Sequence, residues 1–129
     1  MASILKVDTI TGVATAGSIA VTGEGNSTTT NLQQGLAKVA CRISQSNNTF
    51  NHSFNASSIT DGGTGKHTIT FTNAMSDTNY SGTGAKSAST YNFSISITET
   101  NQFILYNRRD DGTYADSSQS NGFAFGDLA

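Results

Sequence analysis

The sequence predicts an all-β chain: an antiparallel β-sandwich or jelly-roll-like body behind an extended N-terminal arm. Two runs alternate strictly between apolar and small polar residues, Lys66 to Thr72 (Lys-His-Thr-Ile-Thr-Phe-Thr) and Tyr91 to Thr98 (Tyr-Asn-Phe-Ser-Ile-Ser-Ile-Thr). Successive strand side chains point to opposite faces, so His67, Ile69 and Phe71 share one face, as do Tyr91, Phe93, Ile95 and Ile97. The opposite faces carry Ser, Thr and Asn, the pattern of a sheet buried on one side and wet, without charge, on the other. Turn-forming clusters divide the body into roughly seven such short segments, the spacing of a sandwich rather than of alternating strands and helices.

The elements follow in order. Residues 1–35 are expected to form the arm and 36–129 the body. Ile4 to Ile10 and Ser18 to Thr22 are strand candidates set among Gly12, Gly17, Gly23 and Gly25, and the Ser/Thr/Asn-rich stretch Asn26 to Asn31 reads as a loop or linker. This segment holds no aromatic residue and cannot build a core of its own. Its spaced apolar side chains, Leu5, Val7, Ile10, Ile19, Val21 and Leu32, favour an assembly arm that packs on the body or on other chains over a disordered leader. Leu32 to Leu36 has room for one helical turn. Ala37, Val39, Cys41 and Ile43 then alternate with Lys38, Ala40, Arg42 and Ser44, and Phe50, His52 and Phe54 alternate again after a turn at Asn47-Asn48. Asp61-Gly62-Gly63 is a hairpin signal joining Ser57–Thr60 to Lys66–Thr72. Asn73 to Tyr80 is a turn-rich excursion. Tyr91–Thr98 and Gln102–Asn107 form a second hairpin through Glu99-Thr100-Asn101. Asp110-Asp111-Gly112 opens a polar loop, and Gly122 to Gly126, with Phe123 and Phe125, supplies a closing strand.

Composition narrows the function. Ser, Thr and Asn make up more than a third of the chain, while 35% is hydrophobic and 12% charged. A thin core under a neutral surface suggests stability shared with other copies. A net charge of −2 with scattered basic residues offers no clustered basic face for nucleic acid. No apolar run approaches the ~20 residues needed to span a bilayer, so membrane insertion is not expected. The first residues lack the basic start and continuous apolar stretch of a secretory signal, which implies synthesis in a cytoplasm.

Candidate chemistry thins out under inspection. Gly62-Gly63-Thr64-Gly65-Lys66 imitates a phosphate loop, but Thr60 and His67 stand where that motif needs Gly and Ser or Thr, and the segment lies between strands. Cys41, His52 and His67 are too few for a zinc site, no metal site or cofactor is expected, and Cys41 reads as a small core residue. Paired carboxylates for glycan cleavage are missing: Glu24 lies in the arm and Glu99 in a turn. Asp110, Asp111 and Asp116 share a loop with Arg108, Arg109 and Tyr114, residue types that contact sugars. No catalytic residue is assigned, and an enzyme is not expected.

Longer stretches carry a resemblance. Met1-Ala2-Ser3-Ile4-Leu5-Lys6-Val7-Asp8-Thr9-Ile10 resembles the opening of small virion proteins and tail-fibre segments of marine bacteriophages. Asn31-Leu32-Gln33-Gln34-Gly35-Leu36-Ala37-Lys38 resembles the junction where their body begins. Ser57-Ser58-Ile59-Thr60-Asp61-Gly62-Gly63-Thr64-Gly65, the Thr-Ile-Thr-Phe strand and Met75-Ser76-Asp77-Thr78-Asn79-Tyr80 resemble the body itself. The chain departs from that pattern at Val39-Ala40-Cys41, where an aromatic residue is usual, and at Met75-Ser76, where Met-Pro is usual. The resemblance implies a non-enzymatic protein of the virion surface, a homotrimer contacting other virion proteins of the tail or capsid. As a short tail fibre or fibre tip it would display the sandwich for host attachment, with a surface glycan as a possible receptor. Tyr80, Arg108, Arg109, Asp110, Asp111 and Tyr114, from the loops Asn73–Tyr80 and Asn107–Ser120, are the candidate recognition surface. The alternative is a capsid decoration or cement protein, or a head fibre, whose arm binds the shell. A carbohydrate-binding module without a virion role is a third possibility.

Overall fold

The computed structural model describes residues 6–12, 19–22, 29–86 and 91–129. Eight antiparallel strands form the body: β3 (Ala37–Ser44), β4 (Thr49–Phe54), β5 (Ala56–Asp61), β6 (Lys66–Phe71), β7 (Ser81–Lys86), β8 (Tyr91–Glu99), β9 (Gln102–Arg109) and β10 (Ser120–Phe125). They divide into two four-stranded sheets, ordered β4-β3-β10-β7 and β5-β6-β9-β8, packed as a sandwich. Ahead of them β1 (Ala20–Thr22) and β2 (Thr29–Asn31) pair with each other, followed by a single turn of helix, α1 (Leu32–Gly35).

The alternation in the sequence becomes the core. Val39, Cys41 and Ile43 of β3 and Ala124 of β10 meet Ile69 and Phe71 of β6 and Phe103 and Leu105 of β9, all buried. Phe93, Ile95 and Ile97 of β8 pack partly buried against this cluster, while the Tyr91 side chain lies outside what the structure describes. Phe71 sits in two edge contacts: its ring centroid is 5.4 Å from that of Phe103 and 5.9 Å from that of Tyr80. Cys41 is a buried free thiol whose pKa burial pushes up to about 11, so it serves as core volume rather than as a nucleophile.

Three sequence expectations change, and a further strand stands where the sequence carries no strand signal. The segment Ser81-Gly82-Thr83-Gly84-Ala85-Lys86, glycine-rich and unpromising for a strand, is the edge strand β7. Its glycines face β8 and admit larger side chains from there: a Cβ on Gly84 would stand 2.5 Å from a Phe93 ring carbon, and one on Gly82 2.9 Å from Ile95. In β4 the apolar set Phe50, His52 and Phe54 does not share a face. Arg42 opposes His52 but Ile43 opposes Phe50, so Asn51 is the extra residue of a bulge. The bulge leaves Phe50 against the core and turns His52 and Phe54 outward, where Phe54 is 56% exposed. In the arm, Thr29 to Asn31 is strand rather than loop, paired in register with Ala20 to Thr22. Lys6 to Ile10, among the described residues, carries no strand; Ile4 and Leu5 lie outside them.

Two connections set the ends of the sandwich. Asn55, at φ 55°, turns the chain between the two sheets from β4 into β5, and its side chain accepts the Asn73 amide at 2.7 Å. The Asp61-Gly62-Gly63 turn joins β5 to β6 as expected, with the Asp61 carboxylate accepting the Gly63 amide at 2.7 Å and Gly63 at φ 100°.

Candidate functional site

The ladders define two poles. The arm enters β3 at Ala37, which lies beside Phe125 of β10. Gathered at that pole are the 99–101 turn, the 73–80 excursion and residues 126–129, linked by Met75 N to Thr100 O, Ser76 N to Asp127 O and the Met75–Leu128 bridge. The far ends of β3 and β9 form the other pole. There Gln45 N donates to Ser117 O at 3.0 Å, and the buried Asn107 amide donates to Gln45 Oε1 and to Ser120 Oγ. The Asn47-Asn48 turn, the Asp61 hairpin and the loop 110–119 meet at this second pole. Asn48 joins Asp61 and His67, and the Asp116 carboxylate accepts the Gly65 amide at 2.6 Å.

The two loops expected to share one recognition surface therefore lie at opposite ends. The 73–80 excursion exposes Asn73 and Ser76 to Asn79 but plugs its end of the core with Met75 and Tyr80, which are 2% and 5% exposed. The Tyr80 hydroxyl donates toward the carbonyls of Glu99 and Gln102, and burial raises its pKa to about 12. Tyr80 is thus a structural tie beneath the sheet and leaves the candidate surface. Its apolar ring and single polar tip suit a buried site with a waiting acceptor.

At the far pole Arg108 and Tyr114 come together. They are bridge partners, the Arg108 guanidinium donates to the Tyr114 hydroxyl, and its central carbon lies 4.5 Å from the Tyr114 ring centroid. Arg109 N donates to Thr113 O at 2.7 Å and Gly112 N to Arg109 O at 2.9 Å, closing the loop tightly around Asp110 and Asp111. Asp111 accepts from the Thr113 amide at 2.9 Å and the Thr113 hydroxyl at 2.7 Å, while Arg109 and Asp110 are exposed. Two residues missed by sequence reasoning complete the array. Tyr106, two places before Arg108 and so on the same face of β9, has its ring 6.1 Å from that of Tyr114. Lys66, opposite Tyr106 in the ladder, carries its ammonium 5.9 Å from that ring. Period-two spacing could have found Tyr106; Lys66 requires the register.

The hydrogen bonds from Thr113, its hydroxyl first and then its amide, hold the Asp111 carboxyl below its ordinary value of 3.8. A depressed folded pKa means that the ionised form stabilises the turn at neutral pH and that this contribution fades as pH falls through the depressed value. The Thr113 amide resonance is accordingly expected to stay in place from pH 7 to 5 and to shift only below the ordinary aspartate range. A shift centred near pH 6 would refute this hydrogen-bonding scheme.

Among the described residues no three His, Cys, Asp or Glu side chains gather as a metal site, and no helix is long and apolar enough to cross a membrane. Of the arm residues, Val7, Ile10 and Val21 are 52%, 58% and 51% exposed. Ile19 and Leu32 are half-buried, with Leu32 N donating to Ile19 O at 2.8 Å. No protein-family model, no curated protein and no solved structure matches this chain.

Proposed function

We propose that this chain is a non-enzymatic structural protein of a bacteriophage virion, a short tail fibre or fibre tip that displays a β-sandwich for attachment to the host surface. The observation that carries the reading is the separation of the poles. The arm joins the body at one end, and the Arg108–Tyr114 loop stands at the other, the full length of β3 away. At about 3.3 Å per residue, an eight-residue strand puts roughly 25 Å between attachment point and display surface. The resemblance of the opening, the junction and the hairpin to marine phage fibre segments supports the same assignment. So do the exposed Val7, Ile10 and Val21, apolar side chains in want of a partner. That partner is another copy of the chain, most simply in a homotrimer, or a neighbouring virion protein.

One observation favours the second reading, a capsid decoration or cement protein. Besides the arm, the outer face of the β4-β3-β10-β7 sheet carries Phe54, Ala40 and Phe123 in one ladder row, with Phe54 and Phe123 56% and 38% exposed. Arm and row together would suit a chain lying across shell subunits.

Deleting residues 1–30 tests the anchoring role. The truncated body is expected to remain folded and soluble but to be lost from assembled particles. A truncated body that enters virions at the normal level would rule out the arm as the anchor. Retained binding of the full chain to capsids lacking tails would favour decoration instead.

A further inference from the structure

The loop end of the sandwich continues onto the outer face of the β5-β6-β9-β8 sheet, and there the chemistry becomes specific. Ladder partners across this face are Ser94, Tyr106 and Lys66 in one row, with Asn92 and Arg108 in the next. Tyr114, 42% exposed, folds back over the second row to sit against Arg108 and Tyr106. Two phenol rings are thus flanked by two cations on a sheet face whose other positions include hydroxyls, the amides of Asn92 and Gln102, and Ile104. Three of the neighbouring carboxylates accept backbone amides, Asp61 from Gly63, Asp111 from Thr113 and Asp116 from Gly65, while Asp110 is exposed. The Arg108 guanidinium has five N–H groups, and among the described residues its hydrogen-bond partner is the Tyr114 hydroxyl.

We infer that this face binds an anionic saccharide. The C–H face of a pyranose would lie against the rings of Tyr114 and Tyr106, which bury apolar area at little conformational cost. A carboxylate or phosphate substituent on the sugar would take the remaining guanidinium donors of Arg108 and the ammonium of Lys66. Ser94 and Asn92 stand beside the rings to meet ring hydroxyls. Neutral sugars would satisfy the stacking and leave the cations unused, which is the basis of the discrimination. The inference rests on the attachment reading for its biological meaning and names the receptor chemistry of that same pole.

The test is titration of the full chain, followed by NMR or calorimetry, with oligogalacturonate, a hexose phosphate, a neutral maltooligosaccharide and inorganic phosphate. One or both acidic sugars are expected to bind about tenfold or more tightly than the neutral sugar and the free phosphate. Comparing the two acidic sugars tells carboxylate from phosphate recognition. Arg108→Gln should remove that advantage while leaving the thermal transition unchanged. Ser58→Ala, farther along the same outer face, should have no effect. Equal binding of acidic and neutral sugars, no binding of any, or an undiminished preference in Arg108→Gln would overturn the inference. Fluorescent full chain applied to host cells in parallel separates the two failures. Cells labelled without any acidic-sugar preference refute the ligand class alone, whereas unlabelled cells refute attachment as well.

Discussion

Replacing Gly84 by alanine is expected to unfold the body or to leave it barely stable. A Cβ there would lie 2.1 Å from the carbonyl oxygen of Asn121 in β10 and 2.5 Å from the Phe93 ring. Ordinary overpacking of a core costs about 1–3 kcal/mol because side chains can shift. Here one obstacle is the backbone of a neighbouring strand in the same sheet, so the cost should exceed the upper end of that range. Gly35→Ala is the matched control. Among the described residues its Cβ meets a Thr30 methyl at 3.9 Å, an ordinary contact, and the change should leave the thermal transition within a few degrees of the parent. Gly84→Ala melting alongside Gly35→Ala would show that β7 does not pack against β8 as described.

Phe103→Ala is the second large effect. Phe103 is fully buried, stacks edgewise on Phe71, and fills the space left open by Gly122, where a Cβ would come within 2.7 Å of its ring. Truncating a buried phenylalanine costs ~3–5 kcal/mol, out of a total stability for such domains of only ~5–15 kcal/mol. A domain of this size loses about 4–8 °C per kcal/mol, so a fall of roughly 15 °C or more in the melting temperature is expected. The outward-facing Phe123 gives the contrast: Phe123→Ala should change stability of the isolated chain little, since a third of the ring already meets water. Equal losses at the two positions would contradict the assigned faces of β9 and β10.

These two positions also show where the sequence was readable. Strands β6 and β8 announce themselves because each buries one face and wets the other, and the period of two is written in their residue types. Strand β9 instead reads as the apolar run Phe103-Ile104-Leu105-Tyr106 and alternates only in burial. Their hairpins are equally plain, since Asp61-Gly62-Gly63 can hardly be anything but a tight turn. Strand β7 is silent for a physical reason. Its glycines are there to admit Phe93 and Ile95 from the opposing sheet, so the apolar signal of that contact is carried by β8. The bulge at Asn51 is likewise invisible in sequence, and one inserted residue is enough to turn His52 and Phe54 from the core to solvent.

The candidate site was legible in proportion to its locality. Arg108 and Tyr114 lie six residues apart around a turn rich in Asp and Gly, and their meeting could be expected from the loop alone. Tyr106 shares a strand with Arg108, while Lys66 reaches the same face only through the β6–β9 register. Tyr80 reads as a surface residue because its segment is polar and turn-rich. The structure buries it because the end of the sandwich exposes carbonyls of Glu99 and Gln102 that need a donor, and a tyrosine reaches them from the core. A polar segment can therefore hide a core residue when that residue carries a hydroxyl at its tip.

Antibody-labelled electron microscopy of the purified phage tests the central claim most directly. The account predicts label at the tail or its fibres, with an antibody to the Arg108–Tyr114 loop binding intact particles because that pole faces outward. Label spread regularly over the head, with the loop epitope hidden, would contradict it and place the chain on the capsid shell.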